Sequence, residues 1–113
     1  MATTYTTLNR NADFHRAYRR GKVCTNPALV SYFSKNRAGI CRIGITTSKK
    51  IGNAVERNRS RRVIRAAFRA VESEINGGWD IVFVARSKTK YLKSTQLEAI
   101  MLAHLKQAGV INR

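Results

Sequence analysis

The chain has 113 residues, enough for one hydrophobic core and a single domain over residues 1–113. An apolar fraction of 43% excludes a disordered basic tail, and no apolar run approaches the ~20 residues of a membrane span. Lys and Arg number 22 against six Asp and Glu, and the net charge of +16 implies a polyanionic partner, with nucleic acid the commonest.

A membrane surface would call for a basic amphipathic segment at a chain end or a lipidation signal, and neither is evident. The start, "MATTYTTLNR", lacks the charged and apolar regions of a secretory signal, so a cytoplasmic protein is expected. Residues 1 to 7 are Thr-rich and aperiodic and are expected to be mobile. Asn11 is expected to cap a helix through Arg20, with Phe14, Ala17 and Tyr18 on one face and Gly21 after the last turn. Residues 23–25 suggest a short strand ended by Asn26 and Pro27, and "ALVSYFS", 28–34, a second. "KNRAG" reads as a polar hairpin loop. In "ICRIGITTS", 40–48, Cys41, Ile43, Ile45 and Thr47 alternate with Arg42, Gly44 and Thr46, the period of a strand with two different faces. Cys24 and Cys41 have no partnering pattern and read as buried reduced thiols, not as a disulfide or metal pair.

The period turns helical in "SKKIGNAVERNRSRRVIRAAFR", 48–69. Ser60, Ile64, Ala67, Phe68, Val71 and Ile75 form a stripe at spacings of three and four, up to a stop at Asn76, Gly77 and Gly78. "WDIVFVA", 79–85, is a mostly apolar run bounded by turn signals, hence a central strand. "RSKTKYLK" leads into a last helix for which Thr95 and Glu98 suit a capping box. Its inner face carries Leu97, Ile100, Met101, His104 and Leu105, with His104 read as a core or boundary residue. The order α-β-β-β-α-β-α implies an α+β sandwich, one sheet with helices packed on it, without internal repeat or linker.

On a helix with about 100° per residue, Arg61, Arg62, Arg65 and Arg69 gather within roughly a third of the circumference, beside the apolar stripe. Arg57 and Arg59 fall outside that sector, with Lys49 and Lys50 further upstream. Cations near a helix N-terminus oppose the macrodipole by some tenths of a kcal/mol each, so a helix selected for stability alone would carry acids there. Free backbone N–H groups and guanidiniums together suit phosphate oxygens. The alternative is a solvated basic face, but such faces usually mix signs, and this one holds only Glu56. Gly52 and Asn53 read equally as turn and cap residues or as direct contacts. Asn58 either reads a base edge or supports the adjacent arginines. Phe14 and Tyr18 suit core packing or base stacking, and Tyr32 must face away from Phe33.

Hydrolysis by protein groups would need a carboxylate cluster or an acid–base histidine pair. Asp13, Glu56, Glu72, Glu74, Asp80 and Glu98 are scattered, without a metal-ligand motif, and no nucleophilic constellation stands out. The pattern is that of a binder.

The 48–69 stretch closely resembles the signature of the bacterial ribonuclease P protein component, with its lysine pair, "GNAV" segment, Arg-Asn-Arg triplet and following arginines. "DFHRAYRRG", "IGITTSKK" and "GWDIVFVAR" resemble that family's first helix, third strand and fourth strand. The resemblance implies a four-stranded sheet with a left-handed strand-helix-strand crossover, as in the second domain of ribosomal protein S5, against the usual handedness. It implies that Arg57, Asn58, Arg59, Arg61, Arg62 and Arg65 contact a catalytic RNA subunit, with Lys49, Lys50 and Asn53 nearby; Arg69 extends the same sector. It implies a cleft between the first helix and the sheet for the single-stranded 5′ leader of precursor tRNA, with Phe14, Tyr18 and Tyr32 at its aromatic positions. Arg61 and Tyr18 stand where other members often have lysine and phenylalanine. His15, beside that cleft, is placed to contact phosphate. The RNA subunit would carry the active site and its Mg²⁺, the protein fold would need no cofactor, and the protein alone would be monomeric.

Overall fold

The computed structural model describes residues 5–8, 10–75 and 77–111. Strand β1 (Tyr5–Thr7) leads into helix α1 (Asn11–Arg20), then strands β2 (Lys22–Asn26), β3 (Leu29–Lys35) and β4 (Cys41–Thr46). Helix α2 (Ala54–Val71), strand β5 (Trp79–Ala85) and helix α3 (Ser94–Gln107) complete the chain. The strands form one mixed sheet in the order β1-β4-β5-β3-β2, five strands where four were expected. β4 and β5 are adjacent and parallel, joined through α2, and β5 pairs antiparallel with β3 on its other side.

Two further expectations are corrected by this topology, and a third, the central place of β5, is met. Tyr5–Thr7 is not a free end, because it pairs in parallel with β4 and covers the edge that β4 would otherwise leave open. Residues 1–4 of that expectation lie outside the described residues. "KNRAG" closes no hairpin: β5 lies between β3 and β4, so the loop carries the chain across the end of β5. The apolar run of β5 requires neighbours on both edges, and β3 and β4 supply them.

The alternation of the strands divides the buried residues between two layers. Leu29, Phe33, Ile43, Ile81 and Phe83 face α2 and α3, where they meet Ile64, Ala67, Phe68, Leu97, Met101 and Leu105 in the main core. Each fully buried large side chain of this kind contributes about 1.5–3 kcal/mol. The opposite face carries α1 over a smaller cluster of Leu8, Ala17 and Val82, bordered by Phe14, Tyr32 and Val84. Phe14 seats its ring on Gly44, where a Cβ would lie 2.5 Å from Phe14 Cε1 and Cζ. At the end of that face Asp80, 2% exposed, accepts from Arg42 Nε at 2.7 Å and Nη2 at 2.8 Å, and from Asn36 Nδ2 at 2.8 Å.

The helix ends differ in detail from expectation. α1 is preceded by Arg10, whose extended backbone makes no side-chain cap, and Asn11 lies inside the first turn. Leu8 N–H still bonds to Ile43 O at 2.6 Å, so sheet pairing sets where the helix begins. α2 ends at Val71 and a 3-10 turn, Glu72–Glu74, carries the chain to half-buried Ile75; of the expected stop, Asn76 lies outside the described residues. α3 starts one residue before Thr95: Lys93 is the cap and its N–H donates to Gln96 Oε1 at 2.9 Å. Its C-terminus closes on Gly109 at φ 77, with Val110 N–H on Leu105 O at 2.9 Å and Gly109 N–H on Lys106 O at 3.1 Å.

Both cysteines are buried free thiols, as expected. They stand three strand spacings apart, roughly 14 Å, too far for a disulfide. Burial, then Asp80 and Glu72, pushes the Cys41 thiol up to about 12, so it stays protonated and inert. His104 is buried, its Nδ1 2.8 Å from buried Ser31 Oγ.

Burial lowers the His104 pKa below its ordinary 6.5, so the unfolded chain takes up this proton first. Its contribution to stability is therefore full above about pH 6.5 and falls as the pH drops from there through the folded value. Urea midpoints measured on either side of that pH should show the loss, and His104→Gln should flatten it; an unaltered pH profile would contradict the assignment. Gly44→Ala should destabilise by about 1–3 kcal/mol through the Phe14 ring, with partial recovery in the Gly44→Ala/Phe14→Leu double variant. Chemical denaturation measures both.

Candidate nucleic-acid interface

The start of α2 is held by a network of side chains from three segments. Asn53 Oδ1 accepts from Glu56 N–H at 2.9 Å, and Glu56 Oε1 accepts from Asn53 N–H at 3.0 Å, a reciprocal capping box. The other carboxylate oxygen pairs with Lys90 Nζ at 2.9 Å, and the same ammonium donates to Ile51 O at 2.7 Å. Lys90 sits on a 3-10 turn, Thr89–Tyr91, anchored by buried Thr89, whose hydroxyl donates to Ala28 O at 2.6 Å. The Lys90 bond first, and the Asn53 N–H second, hold the Glu56 carboxyl below its usual range; the same pair raises Lys90. Of the two readings left open for Asn53, the structure shows the cap, and Gly52 lies in the turn before it.

On this frame the arginines separate into two groups. Arg61, Arg62 and Arg65, with Asn58 and Val55, line a shallow concavity of about 440 Å³. Among the described residues no acid pairs with these three arginines or with Arg69, which lies further along the same side and outside the concavity. Asn58 Oδ1 accepts from Arg61 Nη1 at 3.2 Å, so the amide supports the arginine ridge. Arg57 and Arg59 flank the sector: Arg57 Nη1 donates to Gly52 O at 2.8 Å and Arg59 Nε to Lys90 O at 3.0 Å. Each keeps further guanidinium donors for a ligand. Lys49 and Lys50 are exposed on a 3-10 turn, Lys49–Ile51, that Ser48 caps and buried Ile51 anchors.

The second element lies on the α1 face. Phe14 and Tyr18 line a groove of about 330 Å³ together with Asn11, His15 and Thr46. Tyr18 is 38% exposed and meets Tyr32 edge-on, ring centroids 5.0 Å apart at 77°. Phe14 borders the small apolar cluster and lines the groove at once, whereas Tyr32, part-exposed beside the same cluster, is not among the lining residues and reaches the groove through its ring contact with Tyr18. Phe33 points to the opposite face, as the alternation required. Thr46, which lines the groove, pairs with Val84 and Val84 with Val30, so the sheet continues beside it. Val84 also borders a hollow with Lys50 and Arg86, which brings the groove toward the start of α2.

Asn11, Thr46, Val84 and Lys90 were not singled out as site residues from sequence. Asn11 shares the spacing of His15 and Tyr18 on α1, and Thr46 follows Gly44 by two on one strand, so both were open to the same periodicity argument. Lys90 carries no such signal, because its partners are 34 and 39 positions away in sequence (90 − 56 and 90 − 51). Among the described residues no group of three or more His, Cys, Asp or Glu is placed to hold a metal ion.

The family model for ribonuclease P matches residues 3–109 of the chain. The chain is 38% identical over 106 residues to the ribonuclease P protein component of Clostridium botulinum (strain Loch Maree / Type A3), covering 93% of this chain and 96% of that protein. It is 42% identical over 103 residues to the ribonuclease P protein component of Pelotomaculum thermopropionicum, covering 91% and 92%. The fold matches the RNase P protein of Staphylococcus aureus with a TM-score of 0.81 at 37% identity, covering 94% of this chain and 97% of that one. The Thermotoga maritima RNase P protein matches with a TM-score of 0.78 at 30% identity, covering 89% and 96%. An arginine-lined helix start, an aromatic groove and a match along nearly the whole chain converge: this protein belongs to the family of bacterial ribonuclease P protein components.

Proposed function

We propose that the protein is the RNA-binding subunit of ribonuclease P and assists a catalytic RNA in removing the 5′ leader of precursor tRNA in the cytoplasm. The observation that carries this reading is the arginine concavity at the start of α2, unpaired with any described acid, on a chain that also carries an aromatic groove beside α1. Arg61, Arg62 and Arg65 offer paired N–H donors to phosphates of the RNA subunit, and Arg57, Arg59, Arg69, Lys49 and Lys50 extend the field. Phe14, Tyr18 and Tyr32 offer ring faces and edges to unpaired leader bases, a contact that demands no particular sequence.

The two surfaces have separate physical roles in this reading. The arginine face screens the repulsion between two polyanions, RNA subunit and substrate, so that they assemble at lower salt cost. The groove binds only what mature tRNA lacks, so it favours precursor over product by differential binding. Mg²⁺ and the hydrolytic step are assigned to the RNA, and the protein's own residues bind and orient.

Reconstitution with a bacterial ribonuclease P RNA at low Mg²⁺ tests the proposal. The protein should stimulate 5′ cleavage of precursor tRNA; no stimulation, or co-purification with ribosomal subunits alone, would reject it. Tyr18→Ala, at an exposed position, should weaken precursor-tRNA affinity by about 1 kcal/mol, roughly fivefold, while mature tRNA and RNA-subunit binding hold. Equal losses on all three RNAs would show that the groove does not read the leader.

A further inference from the structure

α1 has two flanks, and the aromatic groove occupies only one. Arg16 and Arg20 fall on the other flank, two positions on from Phe14 and Tyr18, hence about 200° round the helix. There they line a second concavity of about 450 Å³ with Lys35 at the end of β3, Asn36 and Arg37 of the β3–β4 loop and Arg42 of β4. The acids nearest to it are already engaged. Asp13 is 7% exposed and pairs with Arg16 at 3.3 Å; Asp80 is 2% exposed and held by Arg42. Among the described residues Arg20 and Arg37 have no acidic partner, and both are exposed.

The loop that carries Arg37 is pre-set. Asn36 N–H donates to Gly78 O at 3.1 Å, and its side-chain amide donates to Ile40 O at 3.0 Å and to Asp80 at 2.8 Å. Its side-chain oxygen accepts from Ala38 N–H at 3.0 Å. Arg37 and Arg20 are thus presented across one hollow from two rigid elements, and an anion there loses little binding free energy to ordering the loop. This hollow lies where β4 and β5 begin, while Thr46 and Lys50 lie at and beyond the end of β4, so it is separate from the arginine ridge and the aromatic groove.

We infer that the concavity between α1 and the β3–β4 loop is an additional phosphate-binding site, in which Arg20 and Arg37 grip the phosphodiester backbone of an RNA strand. The inference rests on the proposed function for the identity of the polyanion. The strand is either leader lying beyond the nucleotides in the groove or a segment of the RNA subunit, and the chemistry of the contact is the same.

The test substitutes Arg20→Gln and Arg37→Gln together, leaving Arg16 and Arg42 to hold Asp13 and Asp80. Urea midpoints first establish that the variant folds like the parent chain. Binding is then measured for RNA subunit alone and, with the assembled holoenzyme, for precursor tRNAs of short and long leader. An affinity loss of about tenfold, with a salt slope shallower by roughly 1.4 for two contacts on a single strand, is expected in one of these arms. A loss confined to the long leader assigns the leader as ligand, and a loss confined to assembly assigns the RNA subunit. Unchanged affinity and slope in every arm would overturn the site while leaving the proposed function standing. A parent protein that bound neither RNA would overturn both.

Discussion

Lys90 Nζ stands between Glu56 and the carbonyl of Ile51, at 2.9 and 2.7 Å, and it joins the 3-10 turn after β5 to the first turn of α2. The constraint behind this contact is electrostatic. A helix start is already positive, and this one carries Arg57, Arg59, Arg61 and Arg62 within its first nine residues, Ala54 to Arg62. Glu56 is the only acid in the first turn, and it serves the capping box and the ion pair at once. With that carboxylate in place the helix can begin where it does and turn its apolar stripe to the sheet. The arginines on the adjoining sector are left to face outward.

The other acids repeat the theme. Asp80 and Asp13 are buried on the α1 side and occupied by Arg42 and Arg16. A buried carboxylate without its guanidinium would cost several kcal/mol, so these pairs are requirements of the fold. Half of the six acids are thereby spent on internal order. Most of the positive charge then remains on the surface, gathered in the arginine concavity of α2 and around α1. On the proposed reading that residual field is what draws RNA to the protein, and the aromatic groove supplies the contact that charge alone cannot: recognition of unpaired bases.

Much of this was legible in the sequence because it depends on period. The stripe of Ser60, Ile64, Ala67, Phe68 and Val71 is buried as a helical spacing requires, and β5 is the central strand that its apolar run implied. Tyr32 and Phe33 part to opposite faces, and the arginine sector of α2 lies beside its buried face. What was not legible depends on partners distant in sequence. A three-residue parallel strand has too little pattern to be seen, and β1 exists because β4 offers it an edge. The insertion of β5 between β3 and β4 cannot be read from a loop that looks like a hairpin turn. The caps were displaced by one residue at α1 and by two at α3, where sheet pairing or a 3-10 turn set the start of the helix. Lys90, in a segment read only as polar, is the clearest miss.

The salt dependence of RNA-subunit binding tests the central claim most directly, because it counts the cations that displace counterions. Binding constants would be measured over a range of monovalent salt for the parent chain and for Arg61→Ala/Arg62→Ala/Arg65→Ala. The account requires a steep dependence in the parent, shallower in the variant by roughly 0.7–0.9 per lost phosphate contact. A variant that folds normally and binds with an unaltered slope would show that the unpaired ridge of α2 does not meet the RNA.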